Sequence, residues 1–291
     1  MKKFYVAATE LLGEIVTWEM RAGDYAVTQI QEALEDAGLD PSVVTELRIT
    51  NAFSRATKHL KENRAIDRLK RTKDQVQYQL TAKNEVNEHI DYHYECVLDL
   101  NTETGEVYCG ENEELATKAQ ELTAFARQTR NASDITRIIQ RMFKSHAELY
   151  ALNKHGAAYF VPIQHMDFNE KIQKFMATLG GNLERFPVPK GTEQGNQSVC
   201  NAVSSGLSEL VSELDAAIDE WNPDTKTRTF TKAQERLDVI QHRVLAYAEY
   251  LESKQSELLE RLEQTRGRLV EKVLEVAARD EKEIEEIEVE V

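Results

Sequence analysis

Residues 231–285 read TKAQERLDVIQHRVLAYAEYLESKQSELLERLEQTRGRLVEKVLEVAARDEKEIE, with no proline and one glycine, Gly267. Apolar residues recur at Leu237, Ile240, Val244, Tyr247, Leu251, Leu258, Leu262, Leu269, Val273 and Val276, which keeps one stripe on one side of an α-helix. The spacing predicts a single long helix from Thr231 to about Glu285, with Thr231 as N-cap and Gln234 completing a capping box. Ile240, Leu251, Leu262, Val273 and Ile284 form an eleven-residue ladder, the period of an almost straight helix. Lys254 and Arg266 interrupt the seam, so a coiled-coil-like helical hairpin or bundle is expected in place of a long two-stranded zipper.

The partner arm lies just upstream. Val199, Val203, Leu207, Leu210, Val211, Leu214, Ile218 and Trp221 give a second apolar face, ended by Asn222 and Pro223. A short loop would return the long helix antiparallel. At a 1.5 Å rise per residue the first arm covers roughly 36 Å and the second roughly 80 Å, so the lengths do not match. Leu251, Leu258, Leu262, Leu269 and Val273 are therefore the edge expected to meet another copy of the chain or a helical protein partner. The last twelve residues are acidic.

Working outward, residues 190–197 read as a linker, 198–291 as the hairpin with its acidic tail, and 1–189 as a mixed α+β domain. Asp24 to Ala37 reads as a helix stopped by Gly38. Asn51 to Asn63, Glu111 to Arg130, Asp134 to Leu152 and Asp167 to Leu179 read as four more. Residues 75–109 switch to a period of two, predicting a small antiparallel meander with Tyr92, Tyr94 and Cys96 on its inner face. Ala157 to Val161 and Leu183 to Val188 read as short strands. The fold expected is predominantly helical α+β: a helical N-terminal domain with one small meander, then the long antiparallel hairpin.

The chain has 291 residues, 30% charged and 7% aromatic, at a formal net charge of −15. That charge works against indiscriminate binding to nucleic acid or anionic lipid unless cations are segregated. No apolar run reaches the roughly 20 residues a membrane span needs, and the first residues are too short for a secretory core, so a cytoplasmic protein without membrane contact is expected. Cys96, Cys109 and Cys200 show no paired spacing and read as reduced thiols. No catalytic signature occurs, and no cofactor is implied.

Segregated cations do occur. From Arg48 to Lys73 there are nine basic residues and two acidic ones, Glu62 and Asp67. Arg55, Lys58, Lys61, Arg64 and Arg68 make a candidate surface for nucleic-acid phosphates; against it, no stacking aromatics are interleaved there, which favours a solvated face paired with the acidic remainder of the chain or its oligomer. His89, Asp91 and His93 fall on one side of a strand and are residue types that bind zinc, but a strand spreads them in a line, which favours a hydrated polar face over a closed metal site.

Thr50-Asn-Ala-Phe-Ser-Arg-Ala56, the strand pair around Tyr78 and Gly105, and Ala158-Tyr-Phe-Val-Pro162 together resemble an uncharacterised protein family from bacteriophages and other mobile elements. The resemblance implies no activity and no site. The functional expectation is a non-enzymatic, oligomer-forming interaction protein, a scaffold or adaptor. A nucleic-acid-associated adaptor using the basic segment 48–73 is one alternative, and an acidic inhibitor of a host protein another.

Overall fold

A computed structural model describes residues 10–86, 89–110, 112–153, 156, 158–222 and 225–289, with backbone alone at 85–86, 89–90 and 277–289. In chain order the elements are β1 (Leu11–Glu19), β2 (Asp24–Ala26), α1 (Val27–Asp36), α2 (Ile49–His59), β3 (Arg64–Arg71), β4 (Gln75–Val86), β5 (His89–Asn101), β6 (Val107–Tyr108), α3 (Glu113–Gln128), β7 (Thr129–Asn131) and α4 (Ala132–His146). There follow β8 (Tyr150–Ala151), β9 (Tyr159–Pro162), α5 (Met166–Thr178), β10 (Asn182–Pro189), α6 (Glu193–Asp219), α7 (Thr227–Ala246), α8 (Ala248–Leu251) and α9 (Lys254–Val289).

The expected helical domain with one meander and a hairpin is overturned. Among the described residues there are ten strands in three sheets, ordered β10-β1-β9-β8, β2-β7 and β3-β4-β5-β6. Two of the missed strands lack a clean alternation for identifiable reasons. In β1 the inward set is Leu12, Glu14 and Val16, so an acid stands where an apolar residue would signal a buried face. In β3, sequence RAIDRLKR, charge replaces alternation, as on a sheet edge protected from unwanted pairing.

The chain divides into two compact units. The first takes residues 10–19, 142–170 and 183–289, the second residues 20–141 and 171–182.

In the first unit β1 runs antiparallel to β9, with Gly13 opposite Pro162 and Val16 opposite Tyr159. The buried Glu14 carboxylate accepts from Asn169 Nδ2 and from Arg185 Nε and a terminal guanidinium nitrogen, all at 2.8 Å. Its helices form a three-helix bundle in place of the expected hairpin. Trp221 meets Phe230 with ring centroids 4.9 Å apart, which closes the antiparallel α6–α7 pair. Lys254 reaches Asn201, Arg261 reaches Ser212 and Thr265 reaches Asp215, so α9 runs parallel to α6.

The long rod of the sequence reading is broken in two places. Thr231 lies inside α7, where its hydroxyl donates to Thr227 O instead of capping. Tyr247 leaves helical geometry at φ −102°, ψ 19°, and Glu252 sits at φ +49°. Tyr250 anchors this reversal by donating from its hydroxyl to Leu12 O at 3.0 Å. With the chain turned back, Leu251, Leu258, Leu262 and Leu269 are covered by α6 and α7 in one core, and Val273 packs at its margin. Burying that stripe within the chain is what favours the break over an exposed rod.

The second unit is built on the β3-β4-β5-β6 sheet. Val76, Leu80, Cys96, Leu98 and Leu100 point to one face, where Phe53 and Leu60 of the α2 segment and Leu115, Ala116 and Ala119 of α3 cover them. Asn112 starts α3 by accepting from Leu115 N at 3.0 Å, with Glu113 and Glu114 in the first turn against the positive helix end.

Candidate functional site

The basic segment is divided between α2 and β3, and its cations meet different fates. Arg55 makes a two-pronged ion pair with Asp134 at 2.5 and 2.8 Å. Burial alone would raise the Asp134 pKa, but the hydrogen bonds from Arg55 and the Asn131 amide, together with the charges of Arg55 and Arg130, outweigh it and hold that carboxyl below its ordinary value. Arg64 clamps Glu95 in the same way, at 2.6 and 2.9 Å. These two arginines thus tie elements together. Lys58, Lys61 and Arg68 are exposed, as are Lys70, Arg71, Lys73 and Lys83, and among the described residues none of the seven pairs with a carboxylate.

The sheet itself supplies the feature that sequence reasoning missed. Leu80 stands opposite Cys96, yet Thr81 stands opposite Tyr94, so Glu95 is an extra residue, a β-bulge. A bulge reverses which face the following residues occupy. Cys96 is buried as expected, but Tyr92 and Tyr94 are turned away from α2 and α3 and are 57% and 55% exposed. The inner-face placement of the two tyrosines is thereby corrected. The sequence carries no sign of it, since Tyr92, Tyr94, Cys96 and Leu98 keep a regular alternation through Glu95, and a bulge is invisible until a partner strand fixes the register.

Tyr92 and Tyr94 share their face with Lys83, Thr81, Gln79 and Gln77 of β4, their cross-strand neighbours or the next in alternation. The Lys83 ammonium lies 6.0 Å from the Tyr92 ring centroid, within cation–π range. Gln77 donates to Asp99 at 2.8 Å, and Gln75 bonds the same carboxylate oxygen.

Of the metal candidates, Asp91 and His93 are exposed on β5 and the His89 side chain lies outside the described residues. Among the described residues no group of three or more His, Cys, Asp or Glu side chains is placed to hold a metal ion. No described helix is long and apolar enough to cross a membrane. Of the proposed interface residues, Leu251, Leu258, Leu262 and Leu269 are buried in the bundle, whereas Val270 and Leu274 on the adjoining face of α9 are 49% and 62% exposed.

Fold and surface define a two-unit protein of mixed helices and antiparallel sheets, with a helical bundle in its first unit and a basic-edged sheet in its second. The family model for a family of unknown function (DUF6744) matches residues 11–282, and the chain belongs to that family. No curated protein and no solved structure matches it.

Proposed function

We propose that this chain is a non-enzymatic, cytoplasmic assembly protein whose α9 arm docks a second copy or a helical partner. The observation that carries this reading is the length of α9. Asp219 at the end of α6 takes Arg268, and the α9 backbone continues to Val289. At 1.5 Å per residue that is roughly 31 Å beyond the last residue of α6. Val270 and Leu274 stand one turn apart on the exposed side, and a side chain added at Gly267 would meet only open space. An apolar strip beside a small residue lets a second helix approach closely. Light scattering on the full chain and on the double variant Val270→Glu, Leu274→Glu tests it. An oligomer that the variant reduces to a monomer is expected; a wild-type chain that is already monomeric overturns the docking of a second copy. The bacteriophage or mobile-element origin belongs to this proposal as well and rests on the sequence resemblance alone.

A second reading, an adaptor that associates with nucleic acid, is favoured by the seven exposed cations without carboxylate partners among the described residues, in a chain whose net charge is −15. Segregation of that kind gives a polyanion a local foothold that the chain as a whole would refuse it.

A further inference from the structure

We propose that the face of the β3-β4-β5-β6 sheet opposite α2 and α3 binds single-stranded nucleic acid, with bases stacked on Tyr92 and Tyr94 and phosphates following the β3 edge. This rests on the second reading above and gives it a ligand and a set of residues.

Two tyrosines more than half exposed at alternate positions of one strand form a platform whose rings are spaced roughly 6.8 Å along the strand. Isolated exposed apolar groups are ordinary; adjacent rings on a sheet face, beside cations, are the pattern that calls for a partner. The bulge that turns them outward is fixed by the Arg64–Glu95 ion pair, so their orientation is built into the sheet and not a matter of a mobile loop. Every base offers a π-face to such rings, which is why stacking platforms serve unpaired strands and not duplexes, whose bases are already stacked.

The charge beside the platform selects the same ligand. β3 is the sheet edge and carries Lys70 on the tyrosine face, opposite Gln77, and Arg68 and Arg71 exposed along the edge but opposite Tyr78 and Val76, on its other side, with Lys61 and Lys73 just outside its two ends. It lies two strand spacings from β5, roughly 9.6 Å, about the reach from a backbone phosphate to the far side of its base. Between them Gln77, Gln79 and Thr81 on β4 present donors and acceptors to base edges. Asp67 and Asp99 share this face with Lys70 and Lys83, and along the edge from Lys61 to Lys73 the exposed cations Lys61, Arg68, Lys70, Arg71 and Lys73 outnumber the acids Glu62 and Asp67. A protein partner would meet the same tyrosines, but the row of cations without carboxylates matches a polyanion better than a mixed protein surface.

The test uses the full chain, a fluorescein-labelled oligothymidylate of roughly 20 nucleotides and a duplex of equal length, read by anisotropy at low and at physiological salt. Binding of the single strand in preference to the duplex is expected, weakening with salt. Tyr92→Ala with Tyr94→Ala is expected to lower single-strand affinity about tenfold or more, while Tyr92→Phe with Tyr94→Phe retains it. Arg68→Glu with Lys70→Glu is expected to weaken both probes. If the alanine pair binds like wild type while the charge reversal does not, stacking is overturned and the electrostatic reading survives. Equal affinity for the duplex also overturns the inference. Absence of binding to either probe at low salt overturns both.

Discussion

Arg64 grips Glu95 through two of its nitrogens, Nε at 2.6 Å and a terminal nitrogen at 2.9 Å, and Glu95 is the one residue of β5 left without a partner on β4. The ion pair thus crosses the sheet at the position where its facing reverses. Glu95→Gln is expected to cost about 1 kcal/mol at pH 7, the scale of a charge-assisted hydrogen bond at a partly exposed site. The Glu95 pKa is lowered by the Arg64 hydrogen bonds. A carboxyl with a folded pKa below its unfolded one contributes above the ordinary glutamate range, and that contribution is lost as pH falls through the folded value. Urea unfolding of both proteins at pH 7 and again well below pH 4.5 checks this, with the gap closing in acid.

The same bulge shows where sequence periodicity stops being informative. α3, α5 and β10 lie where their patterns place them, because each pattern is local: Asn112 caps, Gly180 stops, and the strand ends at Pro189. Strand β1 hid behind Glu14, whose burial depends on Asn169 and Arg185 far along the chain. The reversal at Tyr247 and Glu252 hid behind an unbroken apolar stripe with no glycine or proline, because the stripe records only that a face is buried and not what buries it. The basic segment was legible by composition, but the tyrosines beside it belong to another strand and required a register to find.

Cover for the α9 stripe can be measured residue by residue. Leu262 is buried between α6 and α7, so Leu262→Ala is expected to destabilise by about 2–5 kcal/mol. Leu274 is largely exposed, so Leu274→Ala is expected to stay within about 0.5 kcal/mol in dilute protein. Chemical denaturation of the two variants separates a stripe satisfied within the chain from one that waits for a partner; near-equal costs would contradict the bundle.

The Glu14 carboxylate is buried and relies on Arg185 and Asn169 for all three of its hydrogen bonds given above. Removing the cation would leave that charge in a poorly solvated place, which costs more than the pair contributes when intact. Arg185→Ala is expected to lose about 3–5 kcal/mol, and adding Glu14→Gln to the same chain is expected to recover part of it. A urea titration of the single and double variants checks the coupling.

Two glycines should respond to alanine in opposite directions. At Gly13 an added Cβ would lie 2.2 Å from Val161 O and 2.9 Å from the Phe160 ring, across the β1–β9 pairing. The backbone oxygen cannot swing aside as a side chain would, so Gly13→Ala must push the strands apart, at about 1–3 kcal/mol or more. At Gly267, in the middle of α9, nothing lies within 4 Å of the added atom. There, in protein too dilute to assemble, alanine removes only the conformational freedom that glycine loses on entering a helix, and Gly267→Ala is expected to stabilise by about 1 kcal/mol. Thermal melts of the two variants read the signs directly: a rise at Gly13 would contradict the β1–β9 register, and a fall at Gly267 would mean that another chain occupies the open side of α9.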